Sequence, residues 1–433
     1  MASPHPSMNT FRLKLARTAL TQILHLNYTR FGSTGHHVDC LPPPDPGQSY
    51  LLYIHIPFCN HLCPYCFFTR VLFEEGLARA YFSRLREELT LMAERGYQVS
   101  SMYIGGGTPT VLIDELISTI EAAKELFDIQ EVSVETNPNH LTPDIAGRLI
   151  GYVQRLSVGV QSFDDSILKH IMRYESYGSA DQVFERLCWA ASRFDTLNID
   201  MIFNFPGQTL ANLRHDVERV KSTGANQTTF HSLMVSPLTE RELTQAVGWI
   251  DYDREIDHYN FIAGALADCF QPSSAWTYTR TDRGAIDEYI IEYPQYIGLG
   301  AGAFSYLNGN VYVNASSLKD YQHLLAGGHL SASMMYPLSR RDQMRYRFMT
   351  DLVGLKLDKQ RFESEFGIPL SRGLWQEMAF MRAAGAFAKD DDQQLTLTES
   401  GRYLMMVMLR EFFVCVNTIR EQSRKHHPEL PAG

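Results

Sequence analysis

The sequence predicts an α/β protein built on a partial, parallel (β/α)6 barrel. Three observations lead there. Six apolar, strand-like runs alternate with amphipathic helical stretches between residues 50 and 235. The polar residues that break the pattern fall at the C-terminal ends of those runs, where parallel α/β barrels gather their functional groups. A cysteine-rich loop follows the first run. Repeated strand–helix units favour a parallel sheet with right-handed crossovers, covered by helices. Periodicity alone does not separate a partial barrel from a doubly wound sheet, but six units in series fit the barrel better.

Residues 1–47 are expected to form an N-terminal extension and linker. The first 38 residues lack Asp and Glu but carry Arg12, Lys14, Arg17 and Arg30. Phe11, Leu15, Ala19, Ile23 and Leu26 recur at helical spacing, with Asn9 or Thr10 available as an N-cap. An organelle transit peptide has this character, as does a basic helix folded onto an acidic body, which is the preferred reading. Leu41-Pro-Pro-Pro-Asp-Pro-Gly47 is a stiff linker.

The barrel with its extension is expected over residues 48–330. Strands are predicted at Tyr50–Ile56, Ser101–Ile104, Glu131–Glu135, Arg155–Val160, Leu197–Phe203 and Gln227–Val235. The helices between them are placed at Ala78–Arg95, Ile113–Phe127, Pro143–Ile150, Ala180–Arg193 and Leu210–Thr223. The strand ends then carry His55 with the cysteine loop, Gly105–Pro109, Glu135, Gln161-Ser162, Asp200 with Asn204, and His231-Ser232. After Pro272 the pattern loosens, and Gly298-Leu-Gly-Ala-Gly-Ala-Phe-Ser305 permits tight turning or close approach to a ligand. Residues 331–433 read as a helical, winged-helix-like domain, with helices at Arg341–Leu355 and Asp358–Phe366 and a strand-to-helix run at Leu395–Arg402.

Composition narrows the function. The chain has 433 residues, 45% hydrophobic and 20% charged, as in ordinary globular proteins. Its 39 basic and 49 acidic residues sum to −10, which argues against a nucleic-acid surface and makes the C-terminal domain a packing or covering module. No apolar run reaches the roughly 18–20 residues that span a bilayer, so a soluble, cytoplasmic protein is expected. Cys40, Cys188, Cys269 and Cys415 are scattered, which suits a reducing compartment; Cys188 and Cys269 sit among apolar neighbours and are expected in the core.

The remaining three cysteines, Cys59, Cys63 and Cys66, form the spacing CxxxCxxC just after the first strand. Cubane iron–sulfur sites commonly use four thiolates. Three thiols leave one iron open, and an open metal position is where chemistry occurs, as with catalytic zinc. A zinc site completed by His55, His61 or a distant histidine is the alternative; a disulfide fits less well. Gly105-Gly106-Gly107 lacks the Lys-Ser/Thr of a phosphate loop and the spacing of a dinucleotide fingerprint. It is either a tight turn or a stretch of backbone open to a ligand. Glu135, ending Val-Ser-Val-Glu, needs a partner if it points inward, such as ribose hydroxyls or an ammonium group. Asp200 is similarly flanked by apolar residues and has a plainer reading, a buried salt bridge with Arg173. Gln161 adds a neutral donor and acceptor on the same rim.

The cysteine spacing resembles the radical S-adenosylmethionine (SAM) superfamily. Tyr53–Cys59, Gly105–Pro109, Ser157–Phe163, Asn198–Ile202 and Gly300–Ser305, in that order, are similar to the oxygen-independent coproporphyrinogen III oxidase family over roughly residues 48 to 415. The resemblance implies a [4Fe–4S] cluster on Cys59, Cys63 and Cys66, with SAM chelating the open iron and cleaved by the reduced cluster to a 5′-deoxyadenosyl radical. Tyr53, Gly106, Glu135 and Phe304 would line that SAM. Tyr65, Gly107, Thr108, Gln161, Arg173, Asp200 and Leu233 would surround a second. The implied substrate is a tetrapyrrole that loses carbon dioxide from a propionate, with Arg173, Arg280 or Arg283 facing its carboxylates. Flavodoxin or ferredoxin would donate electrons.

Three departures keep the branch open. Phe68 stands where the oxidases commonly carry a fourth cysteine. Asp287–Tyr296 lacks the histidine of the HNxxYW-type haem motif of the related chaperones. The extension before Pro43 fits the enzyme branches better than the shorter chaperones. A methyltransferase or haem-opening enzyme is the runner-up, and a haem chaperone, with His231 among the histidines open to iron, is the third reading.

Overall fold

The computed structural model describes residues 10–31, 35–38, 40–66, 68–235, 240–280 and 293–425. Strands β1 (Ser49–Ile56), β2 (Gln98–Gly106), β3 (Glu131–Thr136), β4 (Arg155–Gln161), β5 (Thr196–Phe203) and β6 (Gln227–Ser232) lie side by side in chain order. Every neighbouring pair is parallel. One side of each strand is apolar: Leu52, Ile54, Ile56, Val132, Val134, Leu156, Val158, Leu197 and Ile199 are fully buried. Side chains alternate along a strand, so the opposite phase carries Tyr53, His55, Tyr103, Glu135, Arg155, Ser157 and Asp200 together into the barrel interior.

Four helices cover the outer face: α2 (Glu75–Glu94), α3 (Ile113–Leu126), α4 (Ala180–Ala190) and α5 (Leu210–Ser222). In α2, Ala78, Phe82, Leu85, Leu89 and Met92 recur every three or four residues and are inaccessible to solvent; each large one contributes about 1.5–3 kcal/mol by burial. Glu74 caps α2 by accepting from the Gly76 and Leu77 amides, while Ser179 with Gln182 and Thr209 with Asn212 form capping boxes on α4 and α5. The helix predicted at Pro143–Ile150 is only a single 3-10 turn, Ala146–Leu149. Proline at one end and Gly147 inside leave too few good formers for an α-helix.

The barrel stays open because β6 and β1 pair outward. Strands β7 (Phe270–Pro272) and β8 (Thr277–Arg280) extend the sheet antiparallel from β6. On the other side β9 (Tyr296–Leu299) runs parallel to β1, followed antiparallel by β10 (Phe304–Leu307), β11 (Asn310–Asn314) and β12 (Ala332–Pro337). The glycine run between β9 and β10 serves packing. Gly300, at φ +94°, lies against the end of β1, where a Cβ would stand 2.5 Å from the His55 carbonyl oxygen. Glu88 of α2, buried, accepts from the Gly300 amide, and also from Tyr321 on α7 (Leu318–Ala326).

The terminal helices close over the same body. α1 (Thr10–Phe31) packs against the C-terminal helix, and Arg17 donates to the Tyr252 carbonyl and pairs with Asp253 at 2.9 Å. Its buried stripe is Leu13, Arg17 and Leu20; Leu15, Ala19 and Ile23, expected inward, point to solvent. Two stripes compete on this helix, and the Arg17 contacts favour the other one. α6 (Glu255–Leu266) precedes β7. The C-terminal segment holds α8 (Arg340–Val353), β13 (Lys356–Asp358), α9 (Lys359–Phe366), α10 (Trp375–Ala383), β14 (Phe387–Asp390), β15 (Gln394–Leu397) and α11 (Glu399–Lys425). Its three strands form a small antiparallel sheet beside the helices, the expected winged-helix-like order. Cys188 is exposed and Cys269 half-buried, so neither is the core residue its neighbours suggested. Among the described residues no helix is long and apolar enough to cross a membrane.

Candidate functional site

The ends of the six parallel strands open on one cavity of about 240 Å³. Cys59, Cys63 and Cys66 line it with Tyr53, Tyr65, Gly106, Gly107, Glu135, Gln161, Arg173, Asp200 and Leu233. Two further expected residues stand elsewhere. Thr108 is buried behind Cys59, where its hydroxyl lies 3.6 Å from Sγ and accepts from Asn137. Phe304 packs with Val313, Met334, Tyr336, Cys415 and Ile419, away from the lining.

The cysteine loop leaves β1 and is tied back to it. The Val71 amide donates to the Pro57 carbonyl and the Phe73 amide to the Cys59 carbonyl, at 2.8 and 2.9 Å. His55 completes the closure: Nε2 bonds the Thr69 carbonyl at 2.8 Å, and Nδ1 lies 2.9 Å from the Tyr53 hydroxyl. A carbonyl only accepts, so Nε2 carries the proton and Tyr53 donates to Nδ1. Both nitrogens are engaged, which removes His55 as a metal ligand. Gly107 sits beneath the first thiol, its Cβ position 3.0 Å from Cys59 Sγ and 2.7 Å from the Phe58 carbonyl oxygen.

Among the described residues, no three His, Cys, Asp or Glu side chains converge on a single-ion position. Three thiols on one loop, with both His55 nitrogens already bonded, match the chemistry of a polynuclear cluster, in which each thiolate binds its own iron. Burial pushes the Cys59 thiol up to about 11, against a hydrogen bond from Thr108, and raises Cys66 as well, with Arg70 acting against it. Cluster entry therefore has to displace protons.

Arg70, Arg155 and Arg173 also line the cavity, and among the described residues none pairs with a carboxylate. Arg173 donates to the Asn137 side-chain oxygen at 2.9 Å and the Gly159 carbonyl at 2.5 Å, lies over the Tyr177 ring, and approaches Cys63 Sγ at 3.5 Å. Arg155, 3% exposed, donates to the Gln227 side chain at 2.8 Å. Arg155 acts on the Glu135 carboxyl deeper in the barrel, whereas buried Arg173, beside Cys63, and half-buried Arg70, on the Cys63–Cys66 turn, put positive charge next to the thiols and favour anionic groups there. The donor set fits an iron–sulfur cluster.

Glu135 accepts from the Tyr103 hydroxyl at 2.7 Å and the Gly106 amide at 3.0 Å, and burial pushes its carboxyl up to about 6. Asp200 does not meet Arg173. It accepts from the Ser157 hydroxyl at 2.6 Å and the Asn198 side-chain Nδ2 at 2.8 Å, with His231 Nε2 3.7 Å away. Gln161 sits at a register shift between β4 and β5 with φ +75°, a conformation that non-glycine residues hold at some cost. Arg280 is turned to the opposite end of the strands, bonding the Ala225 and Lys221 carbonyls at 2.8 and 2.6 Å. Arg283 and residues 287–292 lie outside the described residues.

Several lining residues escaped the motif reading: Arg70, Tyr103, Asn137, Arg155, Trp276 and Phe413. Tyr103 and Arg155 were available from strand alternation, being in phase with Gly105 and Gln161. Trp276 stacks on Phe413 at 5.9 Å and meets the His231 ring edge-on at 4.5 Å, joining β8 to α11 across a long stretch of sequence.

Three thiols beside a glycine turn at the mouth of a partial parallel barrel define a radical SAM protein, and residues 53–220 match the radical SAM superfamily model. The chain belongs to that superfamily, whose cofactors are a [4Fe–4S] cluster and SAM. Within it, the chain belongs to the coproporphyrinogen III oxidase-like family. It is 26% identical to an oxygen-independent coproporphyrinogen III oxidase of Cereibacter sphaeroides, over 87% of this chain and 89% of the relative. It is 28% identical to the heme chaperone HemW of Bacillus subtilis, over 81% of this chain and 96% of the relative. The coproporphyrinogen III oxidase HemN of Escherichia coli, described as a radical SAM enzyme, shares the fold with a TM-score of 0.71 at 21% identity, covering 84% of this chain and 91% of that one.

Proposed function

We propose that this radical SAM chain acts on a tetrapyrrole, removing carbon dioxide from a propionate in the manner of coproporphyrinogen III oxidase. Cys59, Cys63 and Cys66 would hold the cluster, which when bound supplies one-electron cleavage of SAM. Tyr53, Gly106 and Glu135 would receive the SAM at the open iron. Tyr65, Gly107, Gln161, Arg173, Asp200 and Leu233 would shape the space beside it for a second SAM, with Thr108 supporting Cys59. Phe304 is left out of this shell because its side chain packs elsewhere. A low-potential carrier such as flavodoxin or ferredoxin would reduce the cluster.

The observation that carries the reading is the joint presence, in one cavity, of three thiols, two carboxylates and three guanidiniums without carboxylate partners. A carboxylate-rich substrate suits those cations, and the Trp276–Phe413 wall suits a flat ring system.

A second reading has its own support. Phe68, 38% exposed at the cavity edge, replaces the oxidases' further cysteine; the relatives named heme chaperones instead favour the third reading, a haem-binding chaperone, which stoichiometric haem binding in a titration of the metal-free chain would support. Methyl transfer to haem, or haem opening, uses the same cavity. Anaerobic reconstitution followed by dithionite, SAM and a panel of porphyrinogens and haem, read by mass spectrometry, decides between them. Decarboxylated coproporphyrinogen with 5′-deoxyadenosine supports the oxidase. Methylated or opened haem with S-adenosylhomocysteine supports the alternative, and SAM cleavage with every tetrapyrrole unchanged removes the substrate class.

A further inference from the structure

Arg70 lies four residues past Cys66, outside the residues that the motifs singled out. One nitrogen of its guanidinium, Nη2, donates to both the Cys63 and the Cys66 carbonyls, at 2.5 and 2.8 Å. The Cys66 amide closes the same turn on the Cys63 carbonyl at 3.2 Å. The group thus grips, from one side, the turn that carries the second and third thiols. The other terminal nitrogen is enclosed and, among the described residues, has no hydrogen-bond partner. No described carboxylate lies within ion-pair distance, and the side chain forms part of the cavity lining.

An arginine used only to tie a loop is better placed with its remaining donors in water or on a carboxylate, because an enclosed, unpaired charge is unfavourable. Here the groups able to balance it are the thiolates. We infer that Arg70 is a positioning residue for the cluster, holding the Cys63–Cys66 turn and placing a fixed positive charge that favours the reduced state. The physical basis is elementary. Each added electron makes a thiolate-bound cluster more negative, so a nearby cation inside a poorly polarisable site stabilises the reduced form more than the oxidised one. The inference rests on the cysteine assignment and is independent of the substrate.

Lysine and glutamine separate the two contributions. Arg70→Lys keeps the charge and loses the two-carbonyl grip; Arg70→Gln loses the charge. Each variant and the wild type are reconstituted anaerobically. Iron and sulfide per chain, iron release to a chelator, and the midpoint potential by EPR-monitored titration are then measured. Arg70→Gln should give a more negative midpoint than wild type. Arg70→Lys should keep a midpoint near wild type but release iron faster. If only the glutamine variant fails to load, the charge is required for assembly and the inference stands. An unchanged midpoint in a fully loaded Arg70→Gln overturns it, as does failure of both variants to load, which would leave shape alone at work. A wild-type chain that assembles no cluster would overturn the cysteine assignment, and this inference with it.

Discussion

Replacing Gly107 with alanine tests the geometry beneath the first thiol. The added Cβ would stand 2.7 Å from the Phe58 carbonyl oxygen, 2.8 Å from the Pro57 carbonyl carbon and 3.0 Å from Cys59 Sγ. Ordinary van der Waals contact begins near 3.4 Å, so the two backbone atoms are too close by more than half an ångström. They cannot yield cheaply, since the Gly107 and Thr108 amides hold the Ile56 and Phe58 carbonyls at 2.7 Å. Overpacking of this kind costs about 1–3 kcal/mol, and the upper end applies where backbone is the obstacle. The displaced atoms include the thiol, so cluster assembly should fail more severely than folding. The assay is iron and sulfide per chain after anaerobic reconstitution, with thermal melts of the metal-free protein. Gly147→Ala is the control, its nearest neighbour being 3.8 Å away, and should stay within about 0.5 kcal/mol of wild type. Full cluster loading with an unchanged melting temperature in Gly107→Ala would refute the reasoning.

Other sites give further tests. The raised Glu135 carboxyl contributes stability that is fully present below pH 4.5 and lost as pH rises through about 6, a difference of up to about 2 kcal/mol. Melts of metal-free wild type should therefore decline over that range relative to Glu135→Gln, and parallel curves would contradict the burial argument. Because burial raises the Cys59 and Cys66 thiols, cluster reconstitution should accelerate from pH 7 to pH 9, followed by the iron–sulfur absorbance; a flat profile would mean that these thiols are already ionised. Glu255, inaccessible to solvent, accepts from Ser232 and Tyr403 at 2.5 and 3.0 Å and pairs with Arg410, which also holds Glu411. Arg410→Met removes the guanidinium that pairs with both buried carboxylates and should cost about 3–5 kcal/mol in denaturant unfolding; a loss below about 1 kcal/mol would show that the pairing adds little to stability.

Much of the barrel was legible because its physics is local. Alternating apolar residues, amphipathic helices and polar strand ends define β1 to β6 without tertiary knowledge, and of the residues expected to hold the cluster and SAM all except Thr108 and Phe304 line one cavity, while His55, Ser162 and Asn204 of the strand ends do not. What escaped depends on contacts between distant segments. No local pattern reveals that β9 adds to β1, or that Trp276 meets Phe413. The α1 helix offered two stripes, and only the docking of Arg17 onto Tyr252 and Asp253 selects Leu13 and Leu20 over Leu15 and Ile23. Gly298–Ser305 read equally as a ligand turn and a packing turn; the closeness of Gly300 to His55 supports packing. Arg280 and Arg173 looked interchangeable as cations, yet they stand at opposite ends of the strands.

The most direct test of the central claim is SAM cleavage by the anaerobically reconstituted, dithionite-reduced chain, with 5′-deoxyadenosine measured by mass spectrometry beside the iron content. The account predicts about four irons per chain and 5′-deoxyadenosine formation, both lost in Cys63→Ala. A wild-type chain that carries one zinc, or that holds its irons and leaves SAM intact, would contradict it.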